Sequence, residues 1–437
     1  MSAPGVPRWL HRSWAERPLP LDAAFYLLCC GYAGTVALTN EFFGFRVWGA
    51  FAAAGYGLAL LHTVALLLLP ARPRDRAPWW RSRWTGVAAA GTVGMLAPLA
   101  TLVVRRLGGG DWQEAPGAWS AQPEVWVIER SARLLLENGT PYVDVSALGR
   151  APHWLDYTPY GPVMAVFGMP RALFGGTPLG AALTDARIVF ALVAAGCVVA
   201  ALRVLGTRAV PVRAAQLALV GPFTALTFAV AGPDLAMLGL LLLAAALAAT
   251  DRPVPAAVTL AVVTSAKLIV LPAAVVLGFL VLRRLGGGAL GRYAATFGAG
   301  CAVLNVPVLL ADPAAFTEHV IRFPAGLGAV SSPAASPLPG HLIAETGAAG
   351  KAVALALLGA AALAVLVWLV RRPPGTGADA LLRIAVGLGA FTLLTPATRF
   401  GYLVYPVVLL GAVLFFPGRP DTRDEGDPDA CAAATSS

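Results

Sequence analysis

Residues 214–249 read AAQLALVGPFTALTFAVAGPDLAMLGLLLLAAALAA and contain one charged side chain, that of Asp234. A bilayer core of about 30 Å needs about 20 apolar residues per helix. The stretch holds two apolar runs, and the Gly-Pro-Asp sequence at 232–234 separates them. It therefore predicts two membrane-spanning helices, at 214–231 and 235–250.

The composition of the whole chain supports this prediction. Of the 437 residues, 58% are hydrophobic and 13% are charged, whereas soluble domains average about 45–50% apolar and about 25% charged residues. The polar surface is too small to cover a water-soluble particle of this size. We therefore predict an all-α, polytopic integral membrane protein. A cytosolic enzyme, a secreted disulfide scaffold and a nucleic-acid binder are excluded, although the net charge is +9.

The apolar runs predict about 12 transmembrane helices. Ten single spans are expected at 22–40, 48–70, 85–104, 184–202, 214–231, 235–250, 290–311, 351–370, 380–395 and 402–416. Residues 254–282 hold Lys267 and Pro272 in the middle and are interpreted as two short helices that meet at a break. Broken helices in membranes commonly line polar cavities, where the freed backbone groups find partners. Residues 161–175 are apolar but short, and they predict a re-entrant or interfacial helix.

Arginine makes up most of the basic excess and sets the predicted orientation. Among the 32 basic residues only Lys267 and Lys351 are lysines. Short loops rich in Lys and Arg face the cytoplasm. The loops with clustered arginines are 71–84, 203–213, 283–292 and 371–372. We therefore expect both termini in the cytoplasm of a multi-pass plasma-membrane protein, with large extracytoplasmic loops.

This topology divides the chain into four parts. They are an N-terminal three-helix membrane segment (1–106), a first large outer loop (107–160), a membrane core with a second outer loop at 312–350 (161–416), and an acidic, disordered cytoplasmic tail (417–437). The five cysteines show no redox or metal spacing, so no disulfide framework is predicted. The His, Asp and Glu residues are not spaced as a metal site either, which leaves a divalent-metal requirement open.

Polar groups that could carry chemistry gather in the first outer loop, most densely in residues 123–162. Residues 124–137 predict an amphipathic helix with Glu129, Arg130 and Arg133 on its charged face. An interfacial helix with a solvated charged side explains the same pattern. This stretch alone therefore leaves a structural role and a catalytic role open.

The tyrosines and histidines of the outer loops allow two interpretations as well. Tyr157 and Tyr160 directly precede the short apolar segment 161–175. Anchoring in an aromatic belt explains them about as well as ligand contact does. His153 and His319 are interpreted as surface residues.

Several short motifs occur in order along residues 120–416. They are GTPY at 139–142, DYTPYGPVMAVFGMPRALFG at 156–175, GPD at 232–234, SAKL at 265–268 with Pro272, SPLPGH at 336–341 and TPATR at 395–399. In this order, and on one predicted side of the membrane, they resemble glycosyltransferase family 87. That family contains polyprenyl-phosphate-mannose-dependent mannosyltransferases of the GT-C superfamily.

The resemblance implies a GT-C-like fold and an inverting sugar transfer at the extracytoplasmic face. The implied donor is polyprenyl-phosphate-mannose, and the implied acceptor is a lipid or a cell-wall glycan. A loop carboxylate acts as general base on the acceptor hydroxyl in such a reaction, and cations stabilise the leaving phosphate. The position of the family's Asp falls on Glu124 in this chain, and Glu129 and Asp156 are the alternative bases.

Several further residues are candidates for the substrate contacts. Those for the donor phosphate are Lys267, His341, Arg399 and Arg322, and those for acceptor or loop contacts are Tyr157, Tyr160 and Asp234. A lysine within a broken apolar segment is costly unless it is paired or faces a cavity, although Lys267 could instead extend to the membrane boundary. Arg399 could instead bind lipid headgroups, and capping of a helix would explain Asp234.

Two other functional classes remain open. A lipid or glycan transporter (flippase) predicts a matching broken helix pair in the other half of the chain. A non-catalytic GT-C homologue would follow if Glu124 fails to replace the family's Asp. The expected partners are membrane lipids, the lipid-linked donor and a glycolipid or glycan acceptor, without nucleic acid. The sequence does not indicate an oligomeric state.

Overall fold

The computed structural model describes residues 18–70, 78–108 and 116–416. Within these ranges the chain is helical, and its single β feature is an isolated parallel bridge between Ala335 and Thr398. The predicted tail 417–437 and most of the arginines of the predicted inner loop 71–84 lie outside the described residues.

The part of the fold up to residue 230 contains nine helices among the described residues. They are α1 (Pro18–Thr39), α2 (Phe43–Leu68), α3 (Arg83–Arg106), α4 (Pro123–Asn138), α5 (Pro162–Phe174), α6 (Pro178–Leu183), α7 (Ala186–Val204), α8 (Val212–Ala218) and α9 (Pro222–Val230). Short 3₁₀ turns occur at Trp79–Arg81, Pro116–Ala118 and Trp154–Asp156. The predicted amphipathic helix at 124–137 is thus present as α4.

The remainder of the described chain contains nine more helices. They are α10 (Pro233–Ala249), α11 (Pro253–Ala266), α12 (Leu271–Leu285), α13 (Gly287–Ala311), α14 (Pro313–Phe316), α15 (Pro339–Ala344), α16 (Ala348–Arg371), α17 (Gly377–Leu394) and α18 (Val404–Val413). The 3₁₀ turns Leu268–Val270 and Phe400–Leu403 precede α12 and α18, and a π-helical turn, Thr317–Arg322, continues α14. The predicted break at Lys267 therefore separates α11 from α12.

Eight helical segments of the described chain are long and apolar enough to cross a membrane, and a ninth span results if the bent pair α8 and α9 counts as one. The chain is therefore an all-α, polytopic membrane protein. The predicted number of about 12 spans requires that the shorter apolar helices α10, α11 and Phe400–Val413 cross as well. Residues 161–175 form the short apolar helix α5, and their re-entrant or interfacial placement stays a prediction.

The segment predicted as a span at 214–231 is bent, because α8 and α9 meet at an angle of 50°. Pro222 has no N–H group and its ring prevents the helix from continuing through this position. The carbonyl oxygen of Val220 at the break accepts a hydrogen bond of 2.7 Å from the hydroxyl of Tyr56. A polar partner of this kind makes a broken helix tolerable within a membrane.

Helix α10 lies at the centre of the described helices. It is buried along nearly its whole length, whereas only 6% of the most apolar stretch of α13 and 11% of that of α16 are buried. A helix that is apolar on all sides and buried is surrounded by other helices, while α13 and α16 present their side chains outwards. Helices α1–α3 pack in a second cluster together with α8 and α9.

Close packing of α7 on α10 yields a first prediction. A Cβ atom at Gly239 of α10 would lie 2.8 Å from the Cα of Ala194 in α7. Gly239→Val therefore has to push the two helices apart, and we expect it to cost about 1–3 kcal/mol of stability. The measurement is the midpoint of thermal unfolding of the purified protein in detergent.

Gly298→Val in α13 is the matched control, because a Cβ there meets nothing within 4 Å. Both variants place a β-branched residue in a helix, so their helix propensities change equally. We expect the midpoint to fall for Gly239→Val alone, and equal midpoints for the two variants would contradict this packing.

Candidate active site

A cavity of about 420 Å³ opens at the end of the molecule where α4 begins and where α11 and α17 end. Five of the residues proposed from the sequence line it, namely Glu124, Tyr157, Tyr160, Lys267 and Arg399. Apolar side chains from the α11–α12 break, from the start of α12, from α17 and from residues 320–334 complete the wall. The cavity therefore combines a few charged groups with a largely apolar surface.

Lys267 occupies the break between α11 and α12 with an extended backbone (φ −148°, ψ 115°). Lys267 is 8% exposed, and its ammonium group pairs with the carboxylate of Asp234. The rings of Tyr160, Tyr402 and Tyr405 surround the ammonium group, with centroids 5.7, 5.0 and 5.9 Å from Nζ. Cation–π contacts of this kind stabilise a cation that has left bulk water. Lys267 therefore faces the cavity.

Residues before α5 close the break from the other side. The N–H of Gly161 donates a 3.0 Å hydrogen bond to the carbonyl of Ala266, a group that the end of α11 leaves without an intrahelical partner. A Cβ at position 161 would lie 2.1 Å from the carbonyl oxygen of Ser265. Only glycine allows this approach, so α5 and the α11–α12 break depend on each other.

Asp234 lies in the first turn of α10, and its side chain does not cap the helix. Its Oδ1 atom accepts a 2.6 Å hydrogen bond from the hydroxyl of Tyr405 in addition to its contact with Lys267. Asp234 itself is 6% exposed. The carboxylate thus holds the lysine, and the capping alternative does not describe its role.

Glu124 and Arg399 form the second ion pair of the cavity, with 2.8 Å between Oε1 and the guanidinium Nη1. Their side chains are 17% and 31% exposed. Glu124 lies in the first turn of α4, whereas Arg399 precedes the 3₁₀ turn at Phe400–Leu403. Together with Lys267 and Asp234, the pair supplies two positive and two negative charges around one cavity. The proposed base and two proposed phosphate ligands are thus brought together.

Glu129 is placed elsewhere, in a buried network of charges. Its carboxylate binds the guanidinium of Arg106 at 2.7 and 2.9 Å, and it accepts a 3.2 Å hydrogen bond from the N–H of Ala186. Arg106 also binds Asp185, which in turn binds Arg187. The expectation of a solvated face is wrong for Glu129, because this network joins the ends of α3 and α7 to α4. Glu129 does not line the cavity of Lys267.

Asp156, the other alternative base, supports the conformation of the loop. Its carboxylate forms two 2.7 Å hydrogen bonds with Arg150 and accepts a third from the N–H of His153. The bonds from Arg150 hold the pKa of Asp156 below its usual value. Asp156 does not line the cavity either. His153 is exposed, as predicted.

The other two proposed phosphate ligands lie outside the cavity lining. Arg322 is 55% exposed and pairs with Glu318 at 2.9 Å. His341 contacts the carbonyl of Pro396 through Nδ1 at 2.8 Å and Glu345 through Nε2 at 3.1 Å. His341 therefore links the second outer loop to the segment that carries Arg399.

His319 was interpreted as a surface residue, and this interpretation is wrong, because its exposure is 0%. Its ring stacks on Tyr142, with centroids 5.2 Å apart. Nδ1 accepts a 2.9 Å hydrogen bond from the N–H of Thr158, so Nε2 carries the proton and donates to the carbonyl of Val143 at 2.8 Å. The neutral ring thus joins the second outer loop to the first.

Tyr157 strengthens the same contact between the two loops. Its hydroxyl lies 3.1 Å from Oε1 of Glu318, and its ring stacks on Phe323 with centroids 4.2 Å apart. Tyr157 and Phe323 both line the cavity. The wall of the cavity therefore depends on the docking of the second loop.

The burial of His319 predicts a pH dependence. Burial lowers the pKa of His319 below its usual 6.5, so its contribution to docking is complete above pH 6.5 and is lost as the pH falls through the lowered pKa. We expect residues 317–335 to lose protection from hydrogen exchange when the reconstituted protein is taken from pH 7.5 to pH 5.

His319→Gln provides the control for this prediction, because glutamine does not titrate in this range. We expect reduced protection at both pH values in this variant, with no further loss on acidification. Equal protection of the wild type at pH 7.5 and pH 5 would contradict the role of His319.

No group of three or more His, Cys, Asp and Glu side chains that could hold a metal ion occurs in residues 18–70, 78–108 and 116–416. The family model of glycosyltransferase family 87 matches residues 157–396, which is more than half of the chain. The match includes Tyr160, Asp234 and Lys267, while Glu124 and Arg399 lie outside it. No curated protein and no solved structure matches the chain.

Proposed function

Because the chain belongs to glycosyltransferase family 87, we propose that this membrane glycosyltransferase moves a mannosyl residue from polyprenyl-phosphate-mannose to a lipid or cell-wall glycan. The proposed reaction takes place at the extracytoplasmic face of the plasma membrane, in cell-envelope biosynthesis, with both termini in the cytoplasm. The observation that supports a lipid-phosphate donor is the cavity, where Lys267 and Arg399 lie among apolar side chains.

The proposed mechanism is a single inverting displacement. The oxygen of the acceptor hydroxyl forms a bond to the anomeric carbon, and the bond between that carbon and the phosphate oxygen breaks with its electron pair on the phosphate. The hydroxyl proton passes to Glu124 as general base. Attack on the side opposite to the phosphate inverts the anomeric centre.

Lys267 is the proposed stabiliser of the leaving phosphate. Asp234 and the three tyrosine rings hold its ammonium group in place. A charge that is positioned before the reaction stabilises the transition state without reorganisation during it. Lys267 can therefore bind the phosphate while it keeps its bond to Asp234, since an ammonium group has three donors.

Arg399 has a different proposed task, because its partner is the proposed base. Arg399 bonds to Oε1 of Glu124, and an acceptor hydroxyl needs access to that carboxylate. A donor phosphate competes with Glu124 for the guanidinium, since arginine binds phosphate as well as carboxylate. In this proposal donor binding shifts Arg399 towards the phosphate and leaves Glu124 for the acceptor.

The prenyl chain of the donor needs an apolar path out of the cavity. Leu268 lines the cavity and is 47% exposed, and Leu271 and Val275 continue the exposed apolar surface along α12. Burial of each methylene group of the chain is worth about 0.8 kcal/mol. We propose that the prenyl chain follows this surface of α12 between the cavity and the membrane.

The test is a transfer assay with the full-length protein in lipid nanodiscs. Polyprenyl-phosphate-[³H]mannose is supplied with membrane lipid extract as acceptor, in parallel with polyprenyl-phosphate-glucose and GDP-mannose. We expect transfer from the polyprenyl-phosphate-mannose alone. Preference for another lipid-linked sugar would contradict the mannose assignment, and absence of transfer from all donors would contradict an active enzyme and favour the non-catalytic homologue.

Substitution of the proposed base gives a further prediction. We expect Glu124→Gln to reduce the rate of transfer by roughly 10²–10⁴-fold, the usual contribution of general-base catalysis. The control is Glu41→Gln, because the side chain of Glu41 is exposed and does not line the cavity. Unchanged transfer by Glu124→Gln would eliminate Glu124 as the base.

The two lysines allow a matched test of the phosphate contact. Lys351 is exposed near the start of α16, so Lys351→Met removes the same charge outside the cavity. We expect Lys267→Met to lower the rate of transfer about 10²-fold or more, as for loss of one preorganised stabilising group, and Lys351→Met to leave it unchanged. Equal rates for the two variants would contradict the assignment of Lys267.

A further inference from the structure

A second cavity, of about 700 Å³, adjoins the one that holds Lys267, and Val127 of α4 lines both. Its wall is formed by α4, by the end of α3 and by the segment from α5 to Gly176. Four arginines line it, namely Arg106, Arg130, Arg133 and Arg171, against the carboxylates of Glu129 and Glu137. We call it the arginine-lined cavity. The proposed transfer reaction uses none of these side chains.

Among the described residues, ion pairs neutralise only part of the positive charge of this cavity. Arg106 is neutralised by Glu129 and Asp185. The other three arginines form no ion pair with a carboxylate within the described part of the chain. Arg130 and Arg171 donate to the main-chain carbonyls of Asp156 and Ala181, and Arg133 is exposed.

Two buried N–H donors of α4 add to this excess of donors. Trp126 and Arg130 both line the cavity, and each has a buried Nε–H group without an acceptor among the described residues. Buried donors are rarely left unsatisfied in native proteins. A wall with four guanidinium groups against two carboxylates favours an anion, and guanidinium groups bind phosphate oxygens in pairs.

Exposed apolar side chains follow the lining residues of the arginine-lined cavity along the chain. Leu173 and Phe174 lie between the lining residues Ala172 and Gly175 and are 59% and 67% exposed, and Leu179 and Leu183 of the next helix, α6, are 69% and 63% exposed. Exposed apolar side chains next to clustered arginines are typical of the border between the hydrocarbon core and the headgroups of a bilayer. A soluble anion would leave these apolar side chains exposed, whereas the acyl chains of a lipid would cover them.

We propose that the arginine-lined cavity binds the phosphate of an anionic phospholipid from the membrane leaflet on this side. Arg130, Arg133 and Arg171 contact the phosphate, and the acyl chains lie against Leu173 and Phe174. The site is distinct from the proposed donor site, and the inference does not depend on sugar transfer. Since α4 carries Glu124 at its first turn, the lipid is held beside the cavity that contains Lys267.

The test uses the full-length protein in nanodiscs that contain a photoactivatable phosphatidylglycerol, without any sugar donor. Crosslinked peptides are identified by mass spectrometry, in parallel with a phosphatidylcholine probe that carries the same photoactivatable group. We expect labelling of residues 126–137 and 171–176 by phosphatidylglycerol, at least about fivefold above phosphatidylcholine. Equal labelling by both probes would overturn the proposal, since it would indicate only contact with the bilayer.

The arginine variants test the charge of the site. We expect Arg133→Gln to reduce the labelling about fivefold and Arg133→Gln with Arg171→Gln about tenfold or more. The control is Arg203→Gln with Arg208→Gln, which removes two exposed arginines at the far end of α7. Loss of labelling in this control to the same extent would overturn the proposal. The single variant at exposed Arg133 keeps the test valid if the double variant misfolds.

A competition experiment distinguishes a phospholipid from free inorganic phosphate as the ligand of the site. Labelling by phosphatidylglycerol is repeated with inorganic phosphate at increasing concentration and constant ionic strength. We expect no competition beyond that of chloride. Complete loss of labelling at low millimolar phosphate would overturn the lipid assignment in favour of a soluble anion.

Discussion

The buried ion pair between Lys267 and Asp234 is the interaction on which the candidate site depends. A single charge in this apolar surrounding would be costly, and its partner makes it tolerable. The pair requires the end of α11 to lie against the start of α10, the most buried helix, and Tyr405 binds the same carboxylate. The helix break at Lys267, the close approach of Gly161 and the position of the cavity all follow from this requirement.

Much of the fold was predictable, because a low content of charge makes the apolar runs easy to locate. The break at Lys267 was predictable for the same reason, since an isolated lysine in such a run needs a partner or a cavity. The bend between α8 and α9 was missed, although Gly221-Pro222 is a strong signal for the end of a helix. The apolar residues on both sides of Gly221-Pro222 favoured a single span instead. This bend also provides a second broken segment, but it packs with α1–α3 and does not line the cavity.

The partners of the charged residues were not predictable, because they come from distant parts of the chain. Glu124 and Arg399 are 275 residues apart, and His319 meets Thr158 across 161 residues. A local pattern shows that Glu129 is charged on an amphipathic helix, but it does not show that Arg106 covers it. The two cavities also differ in how many of their charged side chains have a partner of opposite charge. Distant partners neutralise the charges around Lys267, while three arginines of the arginine-lined cavity form no ion pair with a carboxylate of residues 18–70, 78–108 and 116–416.

The bridge between Ala335 and Thr398 has a mechanical consequence. Two main-chain hydrogen bonds join these segments, at 2.9 and 3.1 Å, and the N–H of Phe400 adds a third to Ser336 at 3.0 Å. Arg399 lies between two of these anchor points. The position of the second outer loop is therefore coupled to the position of the Arg399 guanidinium group beside Glu124. A displacement of these residues of the loop would displace Arg399 as well, so the position of the loop and the contact between Arg399 and Glu124 are linked.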